Sequence, residues 1–217
     1  MHCGVMVTGY NQGDWDRLMA GDYDRPPTIS DAENMDDTLY IGDLVEPLGF
    51  DSIWATEHYG SAYSMQPNPL QYLSYWAGRT SRVDMGTAVI VAPWWNPVRL
   101  AHEISMLDIL LKGRRIHLGI GRGIAPHEYA SLGYPLEQSH KYFYDVIHAI
   151  KAADGSERFE FEGDVYKIPP TTIRPQARHK GDLTTRIKVA FTTETSAKLA
   201  AENGLGQMFV SGDNLDD

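Results

Sequence analysis

The feature that most constrains the fold is a repeated alternation between short apolar runs and longer helical patterns. Six runs rich in β-branched residues are predicted as strands, at residues 3–8, 50–56, 83–91, 115–120, 187–191 and 207–210. Apolar strands that alternate with helices are typical of a parallel sheet covered by helices. Six strands fit either an open doubly wound sheet or part of a (β/α)8 barrel, and the pattern alone does not separate these.

Helix signals support this alternation. Ser30 and Glu33 form a capping-box pattern at the start of a helix that ends near Leu48, and Pro69 and Pro97 suit the first turns of two more. Further predictions are helices over residues 137–153 and 196–203 and a hairpin over residues 159–168 that turns at residues 163–164. Residues 11–28 lack periodicity and are predicted as a long first loop.

Composition excludes several classes of protein. The 217 residues carry 19 Lys and Arg against 29 Asp and Glu, a net charge of −10, without a basic stripe, so nucleic-acid binding is not expected. No stretch approaches the roughly 20 apolar residues that cross a membrane. The single cysteine, Cys3, and the lack of a signal peptide favour a cytoplasmic protein. One domain over residues 1–217 is expected.

Familiar metal and hydrolase motifs are missing from the linear pattern. His102 and Glu103 lack the second histidine of His-Glu-x-x-His, and His2 with Cys3 form only a pair at a terminus. We therefore expect no metal site. A Ser-His-Asp hydrolase would also need a Gly-x-Ser-x-Gly turn, which the sequence lacks.

Ligands gather at the carboxyl ends of the strands in both candidate architectures. The glycine-rich turn after the fourth strand fails the dinucleotide fingerprint, because the third glycine would fall on Ile124 or Pro126. The guanidinium of Arg122 and the amides of Gly123 and Ile124 suit a phosphate, although a tight turn beside an exposed arginine explains the same residues. The hydroxyls after the fifth strand suit an anion or serve as N-caps, and they belong to Thr192, Thr193, Thr195 and Ser196.

Two other strand ends carry candidate site residues. His58 follows Glu57 after the second strand, and it suits a catalytic base as well as a satisfied structural histidine. Trp94 and Trp95 follow the third strand, where they could wall a dry substrate pocket or pack under a loop.

Residues 49–58, GFDSIWATEH, resemble the GFDxxWxxEHH segment of the bacterial luciferase family. The resemblance extends in order and spacing from about residue 5 to 210, with a longer first loop. It includes residues 78–82, 86–93, 96–99, 107–114, 118–123 and 127–133.

This resemblance implies a TIM-type (β/α)8 barrel that binds reduced FMN at its carboxyl end. Arg122, Gly123 and Ile124 would hold the FMN phosphate. The residues that would help them are Thr192, Thr193 and Ser196. A non-prolyl cis peptide bond between Ala88 and Val89 would lie under the flavin ring.

The resemblance also implies a monooxygenase. His58 matches the catalytic histidine of the family, which would take a proton during the reaction, and Glu57 would orient nearby groups. The implied reaction uses O2 and a small organic substrate, for instance an aldehyde, with flavin reduced by a separate NAD(P)H reductase.

Departures from the family pattern limit which activity and which cofactor the resemblance implies. Tyr59 replaces the second histidine of the motif, and Gly121 stands where some luciferases carry a reactive cysteine, so light emission is not implied. Deazaflavin (F420) enzymes often have Gly-Thr-Gly where this chain has Arg122 between two glycines, which favours FMN over F420.

Counting elements, the predicted barrel is truncated after about six β/α units. The missing units favour a truncated, non-catalytic flavin-binding protein as one alternative. An F420-dependent oxidoreductase is a second alternative, independent of the length. A homodimer through the helices near residues 70–78 and 98–111 is expected. The apolar stripe on the second of these helices suits packing against the barrel equally well, and it comprises Leu100, Ile104, Leu107 and Leu111.

Overall fold

A parallel sheet organises the molecule. The computed structural model describes residues 1–190 and 194–208, without the side chains of residues 194–196 and 199. The sheet strands are β1 (Gly4–Met6), β2 (Ser52–Ala55), β3 (Asp84–Val91), β4 (Ile116–Gly121), β7 (Lys188–Ala190) and β8 (Gly206–Met208). They lie side by side in that order, and each pairs in parallel with the next. All six predicted strands are thus confirmed within residues 1–190 and 194–208.

Helices connect the strands, as the alternation predicts. They are α1 (Gln12–Met19), α2 (Asp31–Val45), α3 (Pro69–Arg79), α4 (Pro97–Leu110), α5 (Pro126–Leu132), α6 (Ser139–Ala153) and α7 (Glu194–Glu202). The capping box of Ser30 and Glu33 is confirmed. Asn68 and Asn96 cap α3 and α4 through their side-chain oxygens, directly before the proline that begins each helix.

The prediction of a long loop over residues 11–28 is wrong in its first half, because α1 lies there. The side-chain oxygen of Asn11 accepts the backbone N–H of Asp14, and the Asn11 amide donates to the carbonyl of Ile29. An ion pair between Arg17 and Asp14 spans one turn of the helix. Polar contacts hold the start of this helix, and its eight residues are fewer than the window of about 11–18 residues over which apolar periodicity is recognised.

The helices pack on the sheet through large apolar side chains. The α4 stripe faces this core, since Leu100, Ile104, Leu107 and Leu111 are at most 4% exposed. On the neighbouring helices, Gly42 of α2 lies against the ring of Trp76 in α3, which is fully buried. The expected homodimer cannot use the α4 stripe, because the sheet already covers it.

An antiparallel hairpin interrupts the alternation between α6 and β7. Its strands are β5 (Phe159–Glu162) and β6 (Lys167–Thr171), so the predicted hairpin and its turn are confirmed. The Asp145 carboxylate of α6 accepts the backbone N–H groups of Asp164, Val165 and Tyr166 and fixes the turn against the helix. In the described part of the chain, no helix is both long and apolar enough to cross a membrane.

Candidate active site

Glu57 lies directly after β2 and is only 2% exposed. Its carboxylate accepts hydrogen bonds from the backbone N–H of Val91 at 2.7 Å, the indole Nε1–H of Trp95 at 2.9 Å and the hydroxyl of Tyr59 at 3.3 Å. Burial raises the pKa of Glu57 to about 8, against the lowering effect of these three donors. Glu57 therefore joins the ends of β2 and β3 from beneath the surface.

His58 is the next residue, and its side chain is 30% exposed. Its Nδ1 lies 3.0 Å from Oε1 of Glu128, and the same oxygen accepts the backbone N–H of Tyr59 at 2.8 Å. Because a carboxylate oxygen accepts, Nδ1 carries the proton in this contact, and Nε2 is the ring nitrogen that is left for a bound molecule. The ring of Tyr63 packs edge-on against the imidazole at 5.1 Å. The arrangement suits proton transfer at Nε2.

Glu128 is a site residue that sequence reasoning missed. It lies in α5, is 2% exposed, and is 70 positions from the histidine that it contacts. The only available signal was its place in the segment of residues 127–133 that resembles the luciferase family. A buried carboxylate whose oxygen faces an imidazole fixes the tautomer and the orientation of that ring.

A cavity of about 570 Å³ opens beside His58, between the loop after β2 and the first two helices. Its lining combines apolar, sulfur-containing and acidic side chains from these elements. It includes Leu18, Ala32, Met35, Met65, Tyr59, Asp14 and Asp31. The volume lies within the range of about 300–1,000 Å³ that is usual for small-molecule sites.

Arg122 follows β4 and is partly buried. Its Nη1–H donates to Oγ of the fully buried Ser139 at 2.9 Å, and its carbonyl accepts the hydroxyl of Tyr129. Among the described residues, Nε and Nη2 of this guanidinium have no hydrogen-bond partner. Gly123 has a φ of 69°, and a Cβ there would lie 2.7 Å from Cγ1 of Val91, so the turn requires glycine. Ile124 is 79% exposed.

The cis peptide bond between Ala88 and Val89 is confirmed. It lies within β3, and both residues are partly buried. The neighbouring strand β4 presents Gly121 at this point, and a Cβ there would lie 2.6 Å from Cγ2 of Val89. The chain therefore has a close approach of β3 and β4 where the flavin ring was expected.

Trp94 and Trp95, which were predicted to line a substrate pocket, lie in the interior of the structure. The two side chains are 8% and 5% exposed, so they pack inside the protein, and neither lines the cavity beside His58. The Trp95 indole is held by Glu57, and the Trp94 ring packs edge-on against Tyr59 and Tyr129. Their burial agrees with the alternative prediction, that the two rings pack under a loop.

The predicted phosphate contacts after β7 are outside what the structure describes. Thr192 and Thr193 lie outside the described residues. Ser196 belongs to α7, but its side chain is not among those described. These three contacts stay predictions.

Comparison with known proteins decides the family. Residues 17–217 match the family model described as luciferase-like monooxygenase. The chain belongs to this family. The oxygenase component of flavin-dependent trigonelline monooxygenase from Acinetobacter baylyi is 30% identical to it over 171 residues, which are 78% of this chain and 46% of that protein.

Solved structures agree with this assignment. Monooxygenase RslO1 from Streptomyces bottropensis matches with a TM-score of 0.81 at 27% identity, over 99% of this chain and 61% of that one. The oxygenating constituent of 3,6-diketocamphane monooxygenase from Pseudomonas putida, in complex with FMN, matches at 0.72 and 20% identity, over 96% of this chain and 57% of that one. An F420-dependent secondary alcohol dehydrogenase matches with a TM-score of 0.70 at 19% identity, over 98% of this chain and 59% of that one.

These matches identify the sheet as six parallel strands of a luciferase-like TIM-type barrel. The chain spans about half the length of the curated relatives that it matches.

Proposed function

We propose that this chain acts in a monooxygenase that uses reduced FMN and O2 on a small organic substrate, for instance an aldehyde. The observation that carries the proposal is the pair formed by His58 and Glu128, which leaves Nε2 of an oriented imidazole beside a cavity of about 570 Å³. His58 follows β2, and Glu128 reaches it from α5, at the same edge of the sheet as Arg122 after β4.

The chemistry of the donor set supports FMN at this edge. Nε and Nη2 of Arg122, which have no hydrogen-bond partner among the described residues, would hold the phosphate with the amides of Gly123 and Ile124 as a charge-assisted contact. Additional donors to the phosphate would be Thr192, Thr193 and Ser196. The ring would lie over Ala88 and Val89, where Gly121 carries no side chain to obstruct it.

Reduced FMN, when bound, would supply the electrons with which O2 is activated. The protein's part is to hold a proton acceptor at Nε2 of His58, to fix that ring through Glu128, and to enclose the substrate. The substrate would occupy the cavity lined by Met35 and Met65, whose volume limits it to a molecule of modest size.

A separate NAD(P)H-dependent reductase is the expected electron source. The trigonelline enzyme is named an oxygenase component, which supports a two-component system. We also propose a homodimer through α3 and the exposed side of α4, where Tyr75, Met106 and Leu110 present apolar surface.

A second candidate is an F420-dependent oxidoreductase, favoured by the structural match to the F420-dependent alcohol dehydrogenase. Oxygen-dependent conversion of aldehyde separates the two functions, because free reduced FMN consumes O2 without the protein. The purified chain, supplied with a flavin reductase, NADH, FMN and an aldehyde panel, is expected to convert aldehyde only when O2 is present, and beyond a control that lacks the chain.

Different results would contradict the two candidate functions. Loss of aldehyde at the background rate with every substrate would contradict the monooxygenase, and flavin binding without turnover would indicate a non-catalytic flavin-binding protein. Micromolar binding of F420 with no binding of reduced FMN would favour the oxidoreductase instead.

A further inference from the structure

Polar side chains also cluster at the amino ends of the strands, at the opposite end of the sheet from His58. His2 precedes β1, Asp84 begins β3, and His117 is the second residue of β4. One nitrogen or carboxylate oxygen from each of these three residues lies within 4.8 Å of the others. Nε2 of His117 is 3.1 Å from Oδ2 of Asp84. These residues are far apart in the sequence, so no linear motif predicts the cluster.

We propose that His2, Asp84 and His117 form a binding site for a divalent transition metal, with Zn²⁺ as the best fit. Two imidazole nitrogens and one carboxylate oxygen are a donor set that zinc takes in tetrahedral sites, with a fourth position left for water. Bonds of about 2.0–2.1 Å place neighbouring ligand atoms about 3.3 Å apart. The pair formed by Asp84 and His117 already has this spacing. His2 is exposed, so rotation of its side chain can bring the third ligand in.

Surrounding contacts orient the proposed ligands. Oδ1 of Asp84 accepts the backbone N–H of Arg115 at 2.9 Å, which directs Oδ2 towards His117. The ring of Trp54 stacks on the His117 imidazole, with centroids 5.6 Å apart and planes 18° from parallel. Such outer contacts are typical of metal sites, because they reduce the ordering that binding requires.

A hydrogen bond also holds His2, the proposed third ligand, near the other two. Nε2 of His2 lies 3.2 Å from Oγ of Ser52, and that hydroxyl accepts Nε1–H of Trp54 at 2.8 Å. The cluster therefore joins the segment before β1 to the starts of β2, β3 and β4. A bound ion would stabilise the folded chain by mass action, through this tie between the N-terminal segment and the sheet.

Zinc binding to the full chain, purified without a polyhistidine tag and treated with EDTA, tests the proposal independently of flavin chemistry. Calorimetric titration with ZnCl2 is expected to show one ion per chain. Cobalt(II) in the same site should give visible absorption of tetrahedral intensity. We expect His2→Gln and His117→Gln each to weaken binding by at least about tenfold.

The controls separate this site from incidental imidazole binding. His148→Gln alters an exposed histidine on α6 and should leave the affinity unchanged. His2→Gln affects an exposed residue at the chain terminus, so a folding defect of His117→Gln would not obscure the result. The proposal is overturned if the native chain shows no saturable binding below about 100 µM. Equal affinity in the native chain and His2→Gln would overturn it as well.

Discussion

Nδ1 of His58 and Oε1 of Glu128 lie 3.0 Å apart, although 70 positions separate the two residues in the chain. The histidine is 30% exposed on its side chain and the glutamate 3%, so the carboxylate is buried and the imidazole lines the cavity. The same carboxylate oxygen accepts the N–H of Tyr59, which ties α5 to the end of β2. Glu128 thus fixes both the side chain of His58 and the loop that follows β2.

Glu128→Gln should impair catalysis without impairing cofactor binding. The amide can still accept a hydrogen bond, but it lacks the charge that fixes the tautomer of His58. We expect kcat to fall roughly tenfold to a hundredfold, less than the 10²–10⁴ that general acid–base catalysis contributes. The affinity for reduced FMN and the KM should change little. Steady-state kinetics with Glu137→Gln, an exposed control, test this, and a native kcat in Glu128→Gln would contradict the proposed role.

Glu57 should make stability depend on pH. Its pKa is about 8 in the folded protein and about 4.5 ordinarily, so between these values the folded protein keeps a proton that the unfolded chain has lost. The contribution is complete below pH 4.5 and is lost as the pH rises through 8. The free energy of unfolding should therefore decrease with pH, by up to about 1.4 kcal/mol per unit.

Urea unfolding at about pH 5.5 and about pH 7.0, each about one unit inside its limit, measures this dependence. Glu57→Gln cannot ionise, so its profile should be flatter than that of the native chain. Glu160→Gln on the exposed hairpin serves as the matched control. Parallel profiles for the native chain and Glu57→Gln would show that the carboxylate is ionised throughout.

Gly42→Ala should destabilise the protein even though alanine is the better helix former. A Cβ at this position of α2 would lie 2.0 Å from Cζ2 of Trp76, which is fully buried and cannot withdraw. Overpacking costs about 1–3 kcal/mol, whereas the gain in helix propensity is about 1 kcal/mol. We expect a net loss of about 1 kcal/mol or more in urea unfolding.

Gly78 of α3 provides the matched control for that substitution. A Cβ there meets no atom within 4 Å, so Gly78→Ala should leave stability unchanged or raise it slightly. If both alanine variants had the same effect, the close contact between α2 and α3 would not be a determinant of stability.

The sequence predicted the elements whose signals are local. Apolar β-branched runs produced the six strands, and Pro69 and Pro97 marked the starts of α3 and α4. Helix α1 escaped prediction because it has only eight residues, too few for the spacing of Trp15 and Leu18 to stand out as a helical pattern. Side-chain contacts of Asn11 and Asp14 hold its start. Local pattern reveals helices that are long enough to repeat an apolar face, and it does not reveal short ones.

The candidate site was predictable only in part for a related reason. His58 and Arg122 stand at strand ends, where position alone marks them as candidates. Glu128 contacts the histidine only because the fold brings α5 over the end of β2. Trp95 looked like a pocket wall, and its real partner is the buried carboxylate of Glu57. Contacts between distant segments depend on the tertiary fold, and the spacing of residues along the sequence does not predict them.

The affinity ratio between reduced FMN and reduced riboflavin tests the central claim most directly, because the two flavins differ only in the phosphate. Hydrogen bonds to charged groups contribute about 1.5–3 kcal/mol, so the native chain should bind reduced FMN at least about tenfold more tightly. Arg122→Met should reduce the ratio to near one, and Arg115→Met, an exposed control, should preserve it. Equal affinity of the native chain for the two flavins, or an unchanged ratio in Arg122→Met, would contradict a phosphate site at the end of β4.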